Sequence, residues 1–195
     1  MLDAGAAVLL EGGATGFSTV AVAGKAGLSN GAVFNHFDTR LDLLSATVEH
    51  ALAELRDFFS ESLSAVGPDA DPAELLTILW ECMSRPEQTA ITEVFAQSRT
   101  NPQLQAMVAP VVQEHHRQIK SMLTLLAEAQ IEQAGGGGIT ADFVEAISFL
   151  FIYAMVGLTV NNVAGAGIGT HDEFITLGRQ LFEAVRQQPN QQGSR

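Results

Sequence analysis

The chain has 195 residues, of which 47% are hydrophobic and 16% charged, with one cysteine, Cys82, and a formal net charge of −12. That balance supplies a sizeable core and excludes global disorder, and the length fits one large domain or a small module on a moderate one. A single cysteine excludes an intramolecular disulfide; with no basic, apolar leader at its start, the chain is expected in the cytoplasm.

Helical spacing recurs throughout, and no alternation is long enough for a strand, so the expected fold is all-α with about nine helices. Leu2, Ala6, Leu9 and Leu10 share a face of the first helix, which is expected to stop at Gly12-Gly13 before Phe17 anchors a loop. Ser18 or Thr19 caps a short helix ending near Ala26-Gly27, and Ser29 caps another through about Asn35. Asp38 and Thr39 cap a long helix over 40–66, where Thr39-Arg40-Leu41-Asp42 approaches a capping box with Asp in place of Glu. Leu41, Leu44, Val48, Leu52, Leu55 and Phe59 mark its inner face, and Gly67-Pro68 ends it.

Shorter helices follow at about 72–84 and 86–99, then a longer one over 102–133, in which Pro110 predicts a kink or break. The glycine run 135–138 reads as a loop. Thr140 caps a helix to about Ala164, Thr170-His171-Asp172-Glu173 opens the last one over 172–187, and the tail from Pro189 reads as disordered. Residues 146–170 carry no charge, but their apolar character fails at Asn161-Asn162, so a buried helix is expected and no membrane span.

Residues 18–44 place two short helices about a tight Ala-Gly-Leu-Ser turn, the geometry of a helix-turn-helix. Val20, Ala23, Leu28, Val33 and Phe37 are expected to hold the pair together, leaving Asn30, Ala32, Phe34 and Asn35 to face a DNA major groove. The segments Gly16-Phe17-Ser18-Thr19, Val22-Ala23, Ala26-Gly27-Leu28-Ser29, Gly31-Ala32-Val33-Phe34, His36-Phe37 and Thr39 to Leu44 together resemble the TetR family of transcriptional regulators. The likeness covers about the first fifty residues. It implies a DNA-binding domain over 1–45 and a helical ligand-binding and dimerisation domain over 46–188, with 189–195 as a tail. It further implies a homodimer through about 146–185, a palindromic double-stranded DNA operator, and release by a small apolar or aromatic effector.

The DNA-contacting set implied is Ser18, Thr19, Ser29, Asn30, Gly31, Ala32, Phe34, Asn35, His36 and Arg40. Phe34 stands where the family has tyrosine and so lacks the hydroxyl; Arg40 replaces a lysine and still supplies a charge-assisted bond to phosphate. Asn30 replaces a basic residue. It can read adenine but attracts no phosphate. The first fifty residues hold Lys25 and Arg40 against five carboxylates, a balance of −3, with −9 in the remainder. An acidic module binds phosphate weakly, which raises two expectations: an additional basic arm ahead of this sequence, or a ligand-binding protein with weak or lost DNA recognition.

For the effector, Trp80, Met83, Phe95, Met122, Phe149 and Tyr153 are candidate apolar lining, with Arg99 as a polar partner. Ordinary core packing accounts for each of them taken singly. His115 and His116 are adjacent and point some 100° apart on a helix, a poor arrangement for one metal ion, so no metal and no other cofactor is expected. No nucleophile–base set stands out, so an enzyme is not expected.

Overall fold

The computed structural model describes residues 1–67, 70–133, 146, 149–150, 152–154, 156–157, 159–160 and 169–186. The expected glycine loop at 135–138, the Thr140 cap and the tail lie outside them. Among the described residues there is no strand, and the elements are α1 (Leu2–Gly16), α2 (Thr19–Ala26), α3 (Asn30–Phe34), α4 (Arg40–Val66), α5 (Pro72–Met83), α6 (Pro86–Ser98), α7 (Pro102–Gln133) and a last helix, His171–Arg186. The described residues from 146 to 160 are also helical. The fold is all-α, as the periodicity predicts. No described helix is long and apolar enough to cross a membrane.

Two compact units result, one of Met1–Asp57 with Ser84–Arg117 and the other of Phe58–Met83 with Gln118–Arg195. In the first, α1 packs on α2 and α6, and α2 on α3. The inward stripe of α1 is Gly5, Val8 and Leu9, at i, i+3 and i+4; Leu10 is off that stripe and exposed, contrary to expectation. Gly5 permits close approach to α4, since a Cβ there would lie 2.5 Å from Thr47 Oγ1. Gly13, at φ 59° and ψ −174°, kinks α1 where a stop is expected, and one more turn follows to Gly16.

The N-terminal half of α4 buries Leu43, Leu44, Val48 and Leu52 almost completely, each contributing about 1.5–3 kcal/mol of hydrophobic stabilisation. Gly67, at φ 77°, ends α4 and donates its N–H to the Leu63 carbonyl. Helix α7 continues through Pro110 without the expected break. Pro110 and Ala106, whose carbonyl loses its partner, both lie on the exposed side, where water can satisfy that oxygen. In the second unit, α5 packs on the last helix around Leu76, Met83 and Phe174.

Candidate DNA-binding surface

Side-chain caps set the start of each short helix. Ser18 Oγ accepts from Ala21 N–H and Ser29 Oγ from Ala32 N–H, both at 3.1 Å. Between them α2 ends in a Schellman turn: Gly27 sits at φ 67°, Leu28 N–H reaches the Ala23 carbonyl at 2.9 Å, and Gly27 N–H reaches Gly24. At α4 the capping box is closed in both directions. Thr39 N–H donates to Asp42 Oδ2 at 2.9 Å, and Asp42 N–H donates to Thr39 Oγ1 at 3.1 Å.

The interior of this module is Phe17, Thr19, Val22, Ala23 and Val33, all buried, with Phe37 half-buried. Two residues expected inside are not there: Val20 is 65% exposed and Leu28 42%. The stripe on α2 runs Thr19, Val22, Ala23 and half-buried Ala26, at i, i+3, i+4 and i+7. Val20 falls some 100° off it, along an open groove of about 510 Å3 that α1 and α2 form with Val8, Gly12, Gly16 and Gly24. Leu28 follows the left-handed turn and stays at the surface.

Asn30, Gly31, Asn35 and His36 are exposed beside Phe34, which is 48% exposed; together they form one outward surface on and just after α3. Ala32 is half-buried beneath it. Ser18 and Ser29 spend their hydroxyls as caps, and Thr19 belongs to the core rather than to the surface.

Arg40 has a structural task that the sequence did not reveal. Its Nε donates to the Phe17 carbonyl at 2.7 Å and its Nη2 to the Ala14 carbonyl at 2.5 Å, while the guanidinium lies 6.0 Å from the Phe17 ring centre. It thereby satisfies carbonyls at the C-terminal end of α1, where a cation also meets the negative end of the helix dipole. Lys25 is paired with Glu11 of α1. Both cations of the first fifty residues are therefore engaged within the module. Neither tie is visible in local sequence, because the partners are 14 to 26 residues apart.

The effector candidates divide between the units. In the second, Met83 is core and Trp80 packs against the same cluster, with ring centres 5.5 Å from both Phe174 and His171. Phe149 and Tyr153 stack on each other at 6.2 Å, with Tyr153 58% exposed, and Met122 is half-buried. In the first unit Phe95 is half-buried, and Arg99 is exposed at the C-terminal end of α6. His115 accepts a hydrogen bond at Nδ1 from Arg56 Nη1 at 2.9 Å. Burial, then the Arg56 charge, then His116 push its pKa down to about 4, so the ring is neutral near pH 7.

An all-α protein with this capped helix pair is of the helix-turn-helix DNA-binding class. Residues 1–47 match the family model for bacterial regulatory proteins of the tetR family. An uncharacterised HTH-type transcriptional regulator of Mycobacterium tuberculosis is 26% identical over 132 residues, 67% of each chain. A transcriptional regulator from Rhodococcus sp. Rha1 shares the fold at a TM-score of 0.69 and 20% identity, over 95% of this chain and 94% of its own. A regulator from Saccharomonospora viridis, solved in complex with choline, does so at 0.66 and 16% identity over 93% of each chain. Residues 1–47 are thus similar to the DNA-binding domain of tetR-family regulatory proteins, and the chain shares the fold of transcriptional regulators over most of its length.

Proposed function

We propose that the protein is a cytoplasmic, homodimeric repressor that leaves a palindromic operator when a small apolar or aromatic molecule binds its helical domain. The observation that carries this reading is the outward surface of Asn30, Phe34, Asn35 and His36 on a helix pair whose caps fix its geometry. Asn30 and Asn35 are suited to adenine, Phe34 to a thymine methyl, and the Arg40 Nη1 group to a phosphate. Dimerisation is supported by exposed Ala146, Leu150, Tyr153, Gly157 and Val160, which recur at helical spacing on one face. An effector is supported by the aromatic residues around Trp80 and by the choline held by the S. viridis protein. Two-fold symmetry places two recognition helices on successive major-groove faces, and a ligand that changes their separation lowers affinity, because only one spacing fits both half-sites.

The test is a salt-dependent gel shift on the DNA flanking the gene, with Asn35→Ala alongside. Loss of preference at one base position, at a cost on the order of 1–3 kcal/mol, is expected. A second reading, a ligand-binding protein with weak DNA recognition, is favoured by the engagement of both Lys25 and Arg40 inside the module. Absence of any shift at low salt, together with no retention on heparin, establishes that second reading and overturns the first.

A further inference from the structure

We propose that Asp3, His50 and Glu54 form a divalent transition-metal site that clips α1 to α4. His50 and Glu54 lie one turn apart on α4, and Asp3 comes from the first turn of α1, so the donors arise from two helices. His50 Nε2 is 2.6 Å from Asp3 Oδ1 and 3.6 Å from Glu54 Oε1, and the three ligating atoms all lie within 4.8 Å of one another. Metal–ligand bonds of about 2.0–2.2 Å set neighbouring donor atoms roughly 3 Å apart, so small rotations of these side chains suffice to enclose an ion.

Two carboxylates converge on one ring nitrogen. A single Nε2–H serves one of them, whereas a cation at that point serves both and takes the imidazole lone pair as its third bond. One imidazole with two carboxylates suits Zn2+, Mn2+ or Co2+; without thiolate or thioether it does not select copper(I). Both carboxylates are exposed and His50 is half-buried, so water completes the coordination. The site adjoins a close approach of α1 to α4, where Gly5 faces Thr47, and an ion here fixes that contact. It also lowers the negative charge of an acidic module. Asp3 lies 47 residues from His50 in sequence, which is why ligand spacing along the chain does not reveal the set.

The experiment is calorimetric titration of the full chain, first stripped with a chelator, using ZnCl2 and MnCl2 as probes. One ion per chain is expected, together with a rise in Tm. Affinity should fall at least about tenfold in His50→Ala and Asp3→Asn, since even outer-shell substitutions cost that much at metal sites. His36→Ala and His171→Ala should bind as the parent does. Circular dichroism checks each variant's fold, and in the unsubstituted protein the His50 ring protons should shift on adding Zn2+. No saturable binding, equal affinity in His50→Ala, or an unmoved His50 signal would mean a plain surface ion pair and overturn the site. None of these readouts depends on DNA binding.

Discussion

Both compact units have apolar cores, and they differ in the polar ties added to them. The first, built on buried Leu43, Leu44, Val48, Ile91 and Val94, adds hydroxyl caps at Ser18 and Ser29, a capping box at Thr39, and the Arg40 guanidinium on the Phe17 and Ala14 carbonyls. In the second, caps are present at Asp71 and Thr170, and Phe174 is set among Leu76, Met83 and Trp80. Both units leave large apolar groups exposed, Leu10, Val20, Leu28 and Phe34 in the first and Leu150, Tyr153, Val160 and Leu177 in the second. A module that reads DNA gains from fixed helix ends, because its side chains must meet base edges at set positions. A surface with several large apolar groups facing water is instead suited to meeting a second copy.

The strongest attempt to break this contrast is Gly157→Arg. Gly157 is exposed and a Cβ there meets nothing within 4 Å, so one chain accommodates the arginine, which is also the better helix former. If the exposed face is the dimer contact, the substitution buries an unpaired charge there. The expected outcome is a folded monomer, with the dimer weakened by about 3 kcal/mol or more. Light scattering with circular dichroism reads both, and a dimer of unchanged affinity would remove this face from the assembly.

Phe174→Ala tests the apolar centre itself. Removing a buried ring from beside Leu76 and Met83 should cost about 3 kcal/mol, measured by urea denaturation. Trp80, the single tryptophan, touches the same ring and should report the change by fluorescence. A loss below about 1 kcal/mol would mean that Phe174 is not central to the packing of the second unit.

How far the sequence could be read follows the same division. Caps act over three or four residues, so Ser29, the Thr39–Asp42 box and the Thr170–Glu173 box are legible in a short window, and so is the helix-turn-helix they frame. Val20 lies off the buried stripe although it is apolar, because apolar character alone does not identify a stripe; counting from Thr19 by three and four finds Val22 and Ala23. The ties of Arg40 to α1, of Lys25 to Glu11 and of His50 to Asp3 join residues far apart in sequence. No local pattern encodes them. For Trp80 and Met83 the residue types are legible in sequence, and the structure supplies their shared neighbours.

A pH titration sharpens the polar side of the comparison through His115. Folded, it takes up a proton only near pH 4; unfolded, its imidazole does so near 6.5. Between these values the unfolded chain binds more protons, so stability falls as pH drops from about 6.5 to 4 and is fully present above that window. Solvent still reaches the ring, which puts the loss on the order of 2 kcal/mol. His115→Gln keeps an acceptor for Arg56 but cannot titrate, so subtracting its stability curve from the parent's isolates this group. Parallel curves over that window would show that His115 titrates alike in both states.

The smallest expected effect is also the most direct comparison, because both units contain the same device. In one, Thr39 N–H donates to Asp42 Oδ2 at 2.9 Å and Asp42 N–H returns to Thr39 Oγ1 at 3.1 Å. In the other, Thr170 N–H donates to Glu173 Oε2 at 2.8 Å and Glu173 N–H returns to Thr170 Oγ1 at 3.3 Å. Each threonine side chain satisfies one backbone donor that the helix cannot, and both sites are exposed, so water competes equally. Thr39→Ala and Thr170→Ala should therefore each cost about 1 kcal/mol in urea denaturation, and agree within a few tenths. Their consequences should differ: Thr39→Ala frees the start of α4 next to the surface proposed to face DNA, and Thr170→Ala frees the start of the helix that carries Phe174. Operator affinity should fall in the first and Trp80 fluorescence should change in the second. If Thr170→Ala alone costs several kcal/mol, its cap supports the Phe174 cluster as well as a helix end, and the two boxes are not equivalent devices.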